Sequence, residues 1–217
     1  AGRVSVDEAR SFATALLTLS VLGLLGAAGW VSYNGIDLAA WLPSLPIWFT
    51  ALLLMVHYEF EGGNSLRLKH KGLPGNIAVS ILVGIVIIFG AASVGGLSNP
   101  LVWMVGLTAF CINSAREIIK DVEDMNGDIG RETLSMQIGP NKARTIAWVM
   151  TLIGFASLFL PFGIDLLPSG MLLLLTPAIL TIIAAKPRIH QGDDYSFKAF
   201  RGNNDIYFSY VLKIRKS

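Results

Sequence analysis

Apolar residues run through the 217-residue chain in long blocks, separated by short charged strips. Ser11 to Ile36 carries no charge, and neither does Leu38 to Tyr58. A helix needs about 20 apolar residues to cross the hydrocarbon of a bilayer, so each block predicts one span. Pro43 and Pro46 fall in the first turns of the second, where proline is tolerated. The 44 residues from Gly72 to Ala115 carry no charge and suffice for two further spans, with "SVGGLSNP" (93–100) as the turn between them. Thr145 to Ile164 predicts a fifth span and Leu166 to Ala185 a sixth, which Lys186 and Pro187 stop. The predicted fold class is therefore all-α, a polytopic transmembrane helix bundle with six clear spans. The predicted domain covers 1–190. Residues 191–217 read as a polar tail or a partial last helix, because their apolar core, Ile206 to Leu212, is far below spanning length.

The distribution of Lys and Arg predicts the orientation of this bundle. All 17 fall in the N-terminal segment, in 59–75, in 116–144 or beyond 185. With the N-terminus placed inside, these are the inner segments, and the three outer loops hold no base; their only charges are Asp37 and Asp165. Positive charge stays on the cytoplasmic side of a membrane protein, so both ends and the basic loops are expected there. Composition agrees: 53% of residues are hydrophobic and 15% charged, against about 25% charged in soluble domains. The net charge of +2 and the lack of a basic run exclude the footprint of a nucleic-acid binder. A single cysteine, Cys111 in an apolar segment, leaves no disulfide framework and no cysteine metal site. The polar opening "AGRVSVDEARS" does not have the form of a cleavable signal peptide.

The strip "REIIKDVEDMNGDIGRE" (116–132) departs from this picture, with nine charged side chains in seventeen positions at the end of the longest uncharged run. If the fourth helix continues through it, at about 100° per residue, Asp121, Asp124, Asp128 and Glu117 share an arc of about 60°. Glu123 points elsewhere, and Gly127 is positioned to end the helix before Asp128. Lys120 flanks the arc and Arg116 lies one turn deeper. Clustered carboxylates repel one another unless a cation joins them, and hard oxygen ligands suit Mg²⁺, which binds through one or two carboxylates plus substrate phosphates. Adjacent Arg and Lys can take the remaining phosphate oxygens. The pattern predicts a metal–diphosphate site at the membrane edge, with Asp121, Asp124 and Asp128 as candidate metal ligands and Asp121, Asp124 and Lys120 as candidate catalytic residues. The basic loop "NSLRLKHKGLPGN" (64–76) is the second candidate element, its Arg67, Lys69, His70 and Lys71 able to close over a phosphate. Candidate diphosphate contacts are Arg116, Lys69, Arg67 and Asn76. His57, His70 and His190 lack metal-ligand spacing.

At "SAREIIKDVEDMNGDIGRETLSMQIG" the sequence resembles the UbiA superfamily of intramembrane prenyltransferases, and within it the archaeal digeranylgeranylglyceryl phosphate synthases. Asp121, Asp124 and Asp128 match the family's second aspartate-rich motif, with Arg116, Glu117 and Lys120 as its lead-in. "LKHKGLPGNIAVS" (68–80) resembles the loop before the family's fifth helix, with Lys69 at the basic position, and "GRVSVDEA" (2–9) resembles the segment entering the third. The resemblance runs from residue 2 to about 190. It implies that the six spans are helices three to eight of a nine-helix fold, with a first acidic motif expected upstream of Ala1. The chain departs from the family at Asn64, where many members carry a Tyr, and after about 190, which does not read as a ninth helix. The resemblance implies Mg²⁺ as cofactor, a prenyl diphosphate and a lipid-type acceptor as substrates, membrane lipids as surroundings and no protein partner. It further implies transfer of a geranylgeranyl-type group to geranylgeranylglyceryl phosphate.

Rival readings are an aromatic acceptor, a non-catalytic scaffold, and a cation carrier, whose carboxylates should lie in mid-span rather than at the edge. The CDP-alcohol phosphotransferases also use intramembrane aspartates, but their Asp-Gly-x-x-Ala-Arg core is missing.

Overall fold

Nine α-helices account for most of the chain that the computed structural model describes, residues 5–60, 65–125, 127 and 132–189. The expectation for 191–217 lies outside the described residues. Helix α1, Val6–Tyr33, starts on a reciprocal cap in which the Ser5 hydroxyl accepts from Glu8 N at 3.2 Å and the Glu8 carboxylate accepts from Ser5 N at 2.8 Å. The second predicted span is split into α2, Leu38–Trp41, and α3, Ser44–Glu59. Pro43 separates them because a proline inside a helix cannot supply the backbone donor. Helix α4 is Gly72–Ala92. Helix α5, Pro100–Asp124, opens as its sequence dictates: Asn99 Oδ1 accepts from Leu101 N at 3.0 Å and Pro100 occupies the first position. A short α6, Leu134–Ile138, ends on Gly139 at φ +87, which turns the chain directly into Pro140 at the start of α7, Pro140–Ser157. Helix α8, Leu160–Gly163, continues the fifth predicted span after a break at Leu158 and Phe159.

Five of these segments are long and apolar enough to cross a membrane: Asp7–Tyr33, Leu38–Glu59, Gly72–Ala92, Pro100–Asp124 and Pro140–Gly163. The sixth expected span takes a different form. Ser169–Leu175 is a 3₁₀ turn and Thr176–Ile189 is α9, the apolar part of which, Ser169–Ala185, is shorter than the others. A 3₁₀ segment rises about 2.0 Å per residue instead of 1.5 Å, so the pair has a contour of roughly 35 Å, comparable to a hydrocarbon core of about 30 Å.

The long helices form a row in which α5 packs between α4 and α7, α3 covers α4, and α9 packs on α7. Helix α1 adjoins α3, where Trp48 Nε1 donates to Ser20 Oγ at 2.7 Å, and is otherwise mostly exposed. Small residues allow the central contacts. A Cβ on Gly84 of α4 would meet the Gly106 carbonyl oxygen of α5 at 2.9 Å, and one on Gly154 of α7 would meet Cys111 Cβ of α5 at 3.0 Å. In an apolar solvent helices gain little from burying apolar surface, so close backbone approach and dispersion carry the association. Nearer the charged end, Ala115, Ile119 and Val122 of α5 pack on Ala143 and Ala147 of α7.

Substituting Gly84 by Leu is expected to destabilise the protein by about 1–3 kcal/mol, because the added side chain must push two backbones apart. Gly90→Leu, where a Cβ meets nothing within 4 Å, is the control for helix propensity. Thermal unfolding in detergent micelles checks the pair; equal midpoints would contradict the packing.

Candidate functional site

Two loops and two helix ends converge at the charged end of the row. The loop after α3 folds into a single 3₁₀ turn, Leu68–His70, closed by Lys71 N donating to the Leu68 carbonyl at 3.0 Å. The first turn of α4 sits directly beneath it. A Cβ at Gly75 would lie 2.4 Å from the Leu68 carbonyl oxygen, so only glycine lets the turn settle there. Gly72 is equally constrained from the other loop, with its Cβ position 2.8 Å from the Glu132 carbonyl oxygen. Lys71 and Glu132 form an isolated parallel bridge, and Glu132 N donates to the His70 carbonyl at 3.4 Å. The second loop is pinned to α5 by Ser135 Oγ, which donates to the Asp121 carbonyl at 2.8 Å. Buried Thr133 shares a 3.0 Å hydroxyl contact with Ser135.

These contacts enclose a small cleft at the membrane edge. Lys69, Asn76, Glu117, Lys120 and Asp121 line it, together with Tyr58, Thr133, Gly72 and Gly75. Asn76 is buried and donates from Nδ2 to Asp121 Oδ2 at 2.8 Å, fixing one carboxylate oxygen of the last turn of α5 against the first turn of α4. Lys69 Nζ lies 3.1 Å from Glu59 Oε1 at the end of α3, and the Arg116 guanidinium pairs with the Glu117 carboxylate. The cavity of about 30 Å³ has the volume of a water molecule or a small cation but not of a diphosphate, which could dock only across its mouth. An apolar groove of Met55, Val56, Phe60 and Leu82 adjoins the cleft and shares Tyr58 with it.

Of the residues singled out in the sequence, Lys69, Asn76, Lys120 and Asp121 thus line one cleft. Arg116 stands beside it through its pair with Glu117. Arg67 and Asp124 are exposed and do not line it. Asp128 lies outside the described residues, as does Asn64. Helix α5 ends at Asp124, with Gly127 N turning back to the Asp124 carbonyl at 2.8 Å. Among the described residues no three His, Cys, Asp or Glu side chains converge as a metal cage. Asp121 and Glu117 are nevertheless hard oxygen donors beside two ammonium groups, a set that suits a magnesium ion completed by phosphate oxygens.

The sequence did not single out Tyr58, Thr133 or the two glycines. Tyr58 carried a signal in hindsight, an amphipathic ring at the end of an apolar span next to Glu59. Glu117 lay on the predicted acidic arc but was not among the candidate site residues.

The profile of the UbiA prenyltransferase family matches residues 1–204. Digeranylgeranylglyceryl phosphate synthase of Methanopyrus kandleri is 34% identical over 186 residues, covering 85% of this chain and 61% of that protein. The proteins of the same name from Natronomonas pharaonis and Thermococcus gammatolerans are 38% and 42% identical over 119 and 100 residues. Those alignments cover 53% and 43% of this chain and 43% and 34% of the relatives, so the chain matches less than two thirds of each relative's length. No solved structure matches the chain.

Gly75→Ala is expected to lift the 3₁₀ turn off α4 and to speed tryptic cleavage after Arg67, Lys69 or Lys71 several-fold. Gly90→Ala, which meets open space, should leave cleavage unchanged. Mass spectrometry of timed digests in detergent reads both; equal rates in the two variants would contradict the seating of the turn.

Proposed function

Because the chain belongs to the UbiA prenyltransferase family, we propose that it forms part of an integral membrane enzyme moving a geranylgeranyl-type group from its diphosphate to a lipid acceptor, geranylgeranylglyceryl phosphate. One observation carries this reading: Lys69, Lys120, Asp121 and Glu117 line a single cleft at the end of apolar helices, beside an apolar groove. The enzyme sits in the cell membrane as a multi-pass protein, with this end cytoplasmic, as its Lys and Arg distribution supports.

Asp121 and Glu117 are the cleft carboxylates that would hold Mg²⁺, with Asp124 and Asp128 of the same acidic strip as further ligands. When bound, the ion would neutralise charge building on the diphosphate as the allylic C–O bond breaks. Lys69, Lys120 and Arg116 take the phosphate oxygens, and Arg67 at the rim adds positive charge. For Lys69 and Arg116 this means exchanging a carboxylate partner, Glu59 or Glu117, for phosphate. Asn76 holds Asp121 in place on the wall of the cleft through its amide. The prenyl chain lies along the groove of Met55, Val56, Phe60 and Leu82, where water is scarce. Scarcity of water protects the allylic cation until the acceptor hydroxyl attacks its first carbon, forms the ether bond and gives up its proton to the departed diphosphate.

In the complete protein, Asp121→Ala and Asp124→Ala should each lower Mg²⁺-dependent transfer by at least about 100-fold, the scale of losing a group that offsets transition-state charge. A radiolabelled transfer assay with geranylgeranyl diphosphate, comparing geranylgeranylglyceryl phosphate with an aromatic acid, checks donor, acceptor and metal together. Full turnover in both variants would remove the site, and preference for the aromatic acid would remove the acceptor.

A further inference from the structure

Below the cleft, the seam between α4 and α5 carries a short polar ladder inside otherwise apolar helices. Ser80 is fully buried, and its hydroxyl donates to the Asn76 carbonyl at 2.6 Å. That spends its only proton, so Ser80 Oγ meets Asn113 as an acceptor, and Asn113 Nδ2 donates to it at 3.3 Å. The orientation of the Asn113 amide is therefore fixed by the network: nitrogen toward Ser80, carbonyl oxygen away from it. That oxygen makes no hydrogen bond among the described residues, and the side chain is half-buried rather than sealed. An amide carbonyl left without a partner in an apolar environment is costly, which marks it as a place that a ligand fills.

Its position on α5 says which ligand. Asn113 lies four residues before Glu117 and eight before Asp121, about 6 Å and 12 Å deeper along the helix axis. At about 100° per residue it falls about 20° outside the arc shared by Asp121, Glu117 and Asp124, on the same face. One step further, the seam is closed by the Gly84–Gly106 approach. Asn113 is thus the deepest polar group on the face that bears the cleft, neutral, and presenting an acceptor. On the proposed function, the first carbon of the prenyl group lies just membrane-ward of the diphosphate, at the level between Glu117 and Asn113.

We propose that Asn113 is an acceptor-specificity residue: its carbonyl oxygen accepts a hydrogen bond from the hydroxyl of the lipid acceptor and turns that oxygen toward the prenyl carbon. Ser80 is a positioning residue that acts only by holding the Asn113 amide. A neutral amide suits this depth because it orients a hydroxyl without bringing a charge that would compete with the diphosphate for the cation.

The test uses the complete enzyme in detergent, with geranylgeranyl diphosphate as donor, geranylgeranylglyceryl phosphate as acceptor, and an analogue of that acceptor lacking the hydroxyl as competitive inhibitor. The wild type should bind the acceptor roughly tenfold or more tightly than the analogue, the discrimination expected when a buried partner is left unpaired. Asn113→Ala should raise the acceptor KM by about that factor and leave donor KM and analogue Ki unchanged, so that discrimination disappears; Ser80→Ala should do the same to a smaller degree. Equal binding of acceptor and analogue by the wild type would overturn the assignment without any variant. So would a rise in donor KM and analogue Ki alongside acceptor KM, which is the mark of a merely structural role. No transfer by the wild type would overturn the proposed function and this inference together, whereas a fully active Asn113→Ala enzyme would overturn this inference alone.

Discussion

The hydrogen bond from Asn76 to Asp121 joins the first turn of α4 to the last turn of α5, and the geometry of the charged end depends on it. A buried amide at a helix–helix seam has no water to turn to, so it must find a protein partner or carry the cost of desolvation. Asp121 supplies that partner and in return has one oxygen fixed. Asn76 also anchors the next link inward, since its backbone carbonyl takes the Ser80 proton and Ser80 in turn takes Asn113. One pairing therefore orders both the carboxylate at the membrane edge and the amide two turns deeper. Hydrogen bonds in such a chain polarise one another where the local dielectric is low, which makes the ladder stiffer than isolated pairs.

The ladder forms only because the two helices are close, and glycine makes them close. The Gly84–Gly106 approach lets backbones touch at one end of the seam. At the other end, Gly72 and Gly75 let the two loops settle onto α4 and onto each other. The cleft is thus framed by two positions with no side chain, Gly72 and Gly75, and its lining residues come from α3, the 3₁₀ turn, α4, α5 and the loop before α6. The result is polar groups gathered from five elements with little interior volume between them, while apolar surface continues directly alongside through Tyr58.

Much of the helical layout was legible in the sequence, because a membrane span is declared by length and absence of charge alone. The acidic arc on α5 was legible too, since it depends only on the angular spacing within one helix. What a helix faces was not. In a soluble protein the apolar stripe marks the buried side, but lipid is as apolar as a core, and the apolar residues of α4 are spread around the helix rather than along one stripe. Hence Asp124, on the predicted arc, is exposed, while Tyr58 and Thr133, neither of them a candidate site residue, line the cleft. Helix α5 ends at Asp124, and Gly127 N turns back to the Asp124 carbonyl, while Asp128 lies outside the described residues. The sixth span differs because Pro168 leaves the chain extended and a 3₁₀ turn precedes α9, and hydropathy does not register backbone geometry.

The cations of this end raise a problem of their own, since an ammonium or guanidinium at the edge of a bilayer is expensive to hold without a counter-charge. Lys69 and Arg116 are each held by a carboxylate, Glu59 and Glu117, and the two arrangements differ in a way that matters. Each pair has one covered and one open member: Lys69 is 16% exposed against 74% for Glu59, and Glu117 is 14% exposed against 43% for Arg116. In the first pair the covered member is the cation, so Lys69 stays compensated only while an anion stands beside it. In the second pair the covered member is the anion, so Glu117 is the group left uncompensated if Arg116 turns to another anion and no cation replaces it. On the proposed reading a magnesium diphosphate brings both at once, the ion for the carboxylate and the phosphate for the guanidinium. A bare anion brings only one. On that same reading the covered Glu117 carboxylate favours a metal-bound diphosphate over a free one, by desolvation rather than by shape.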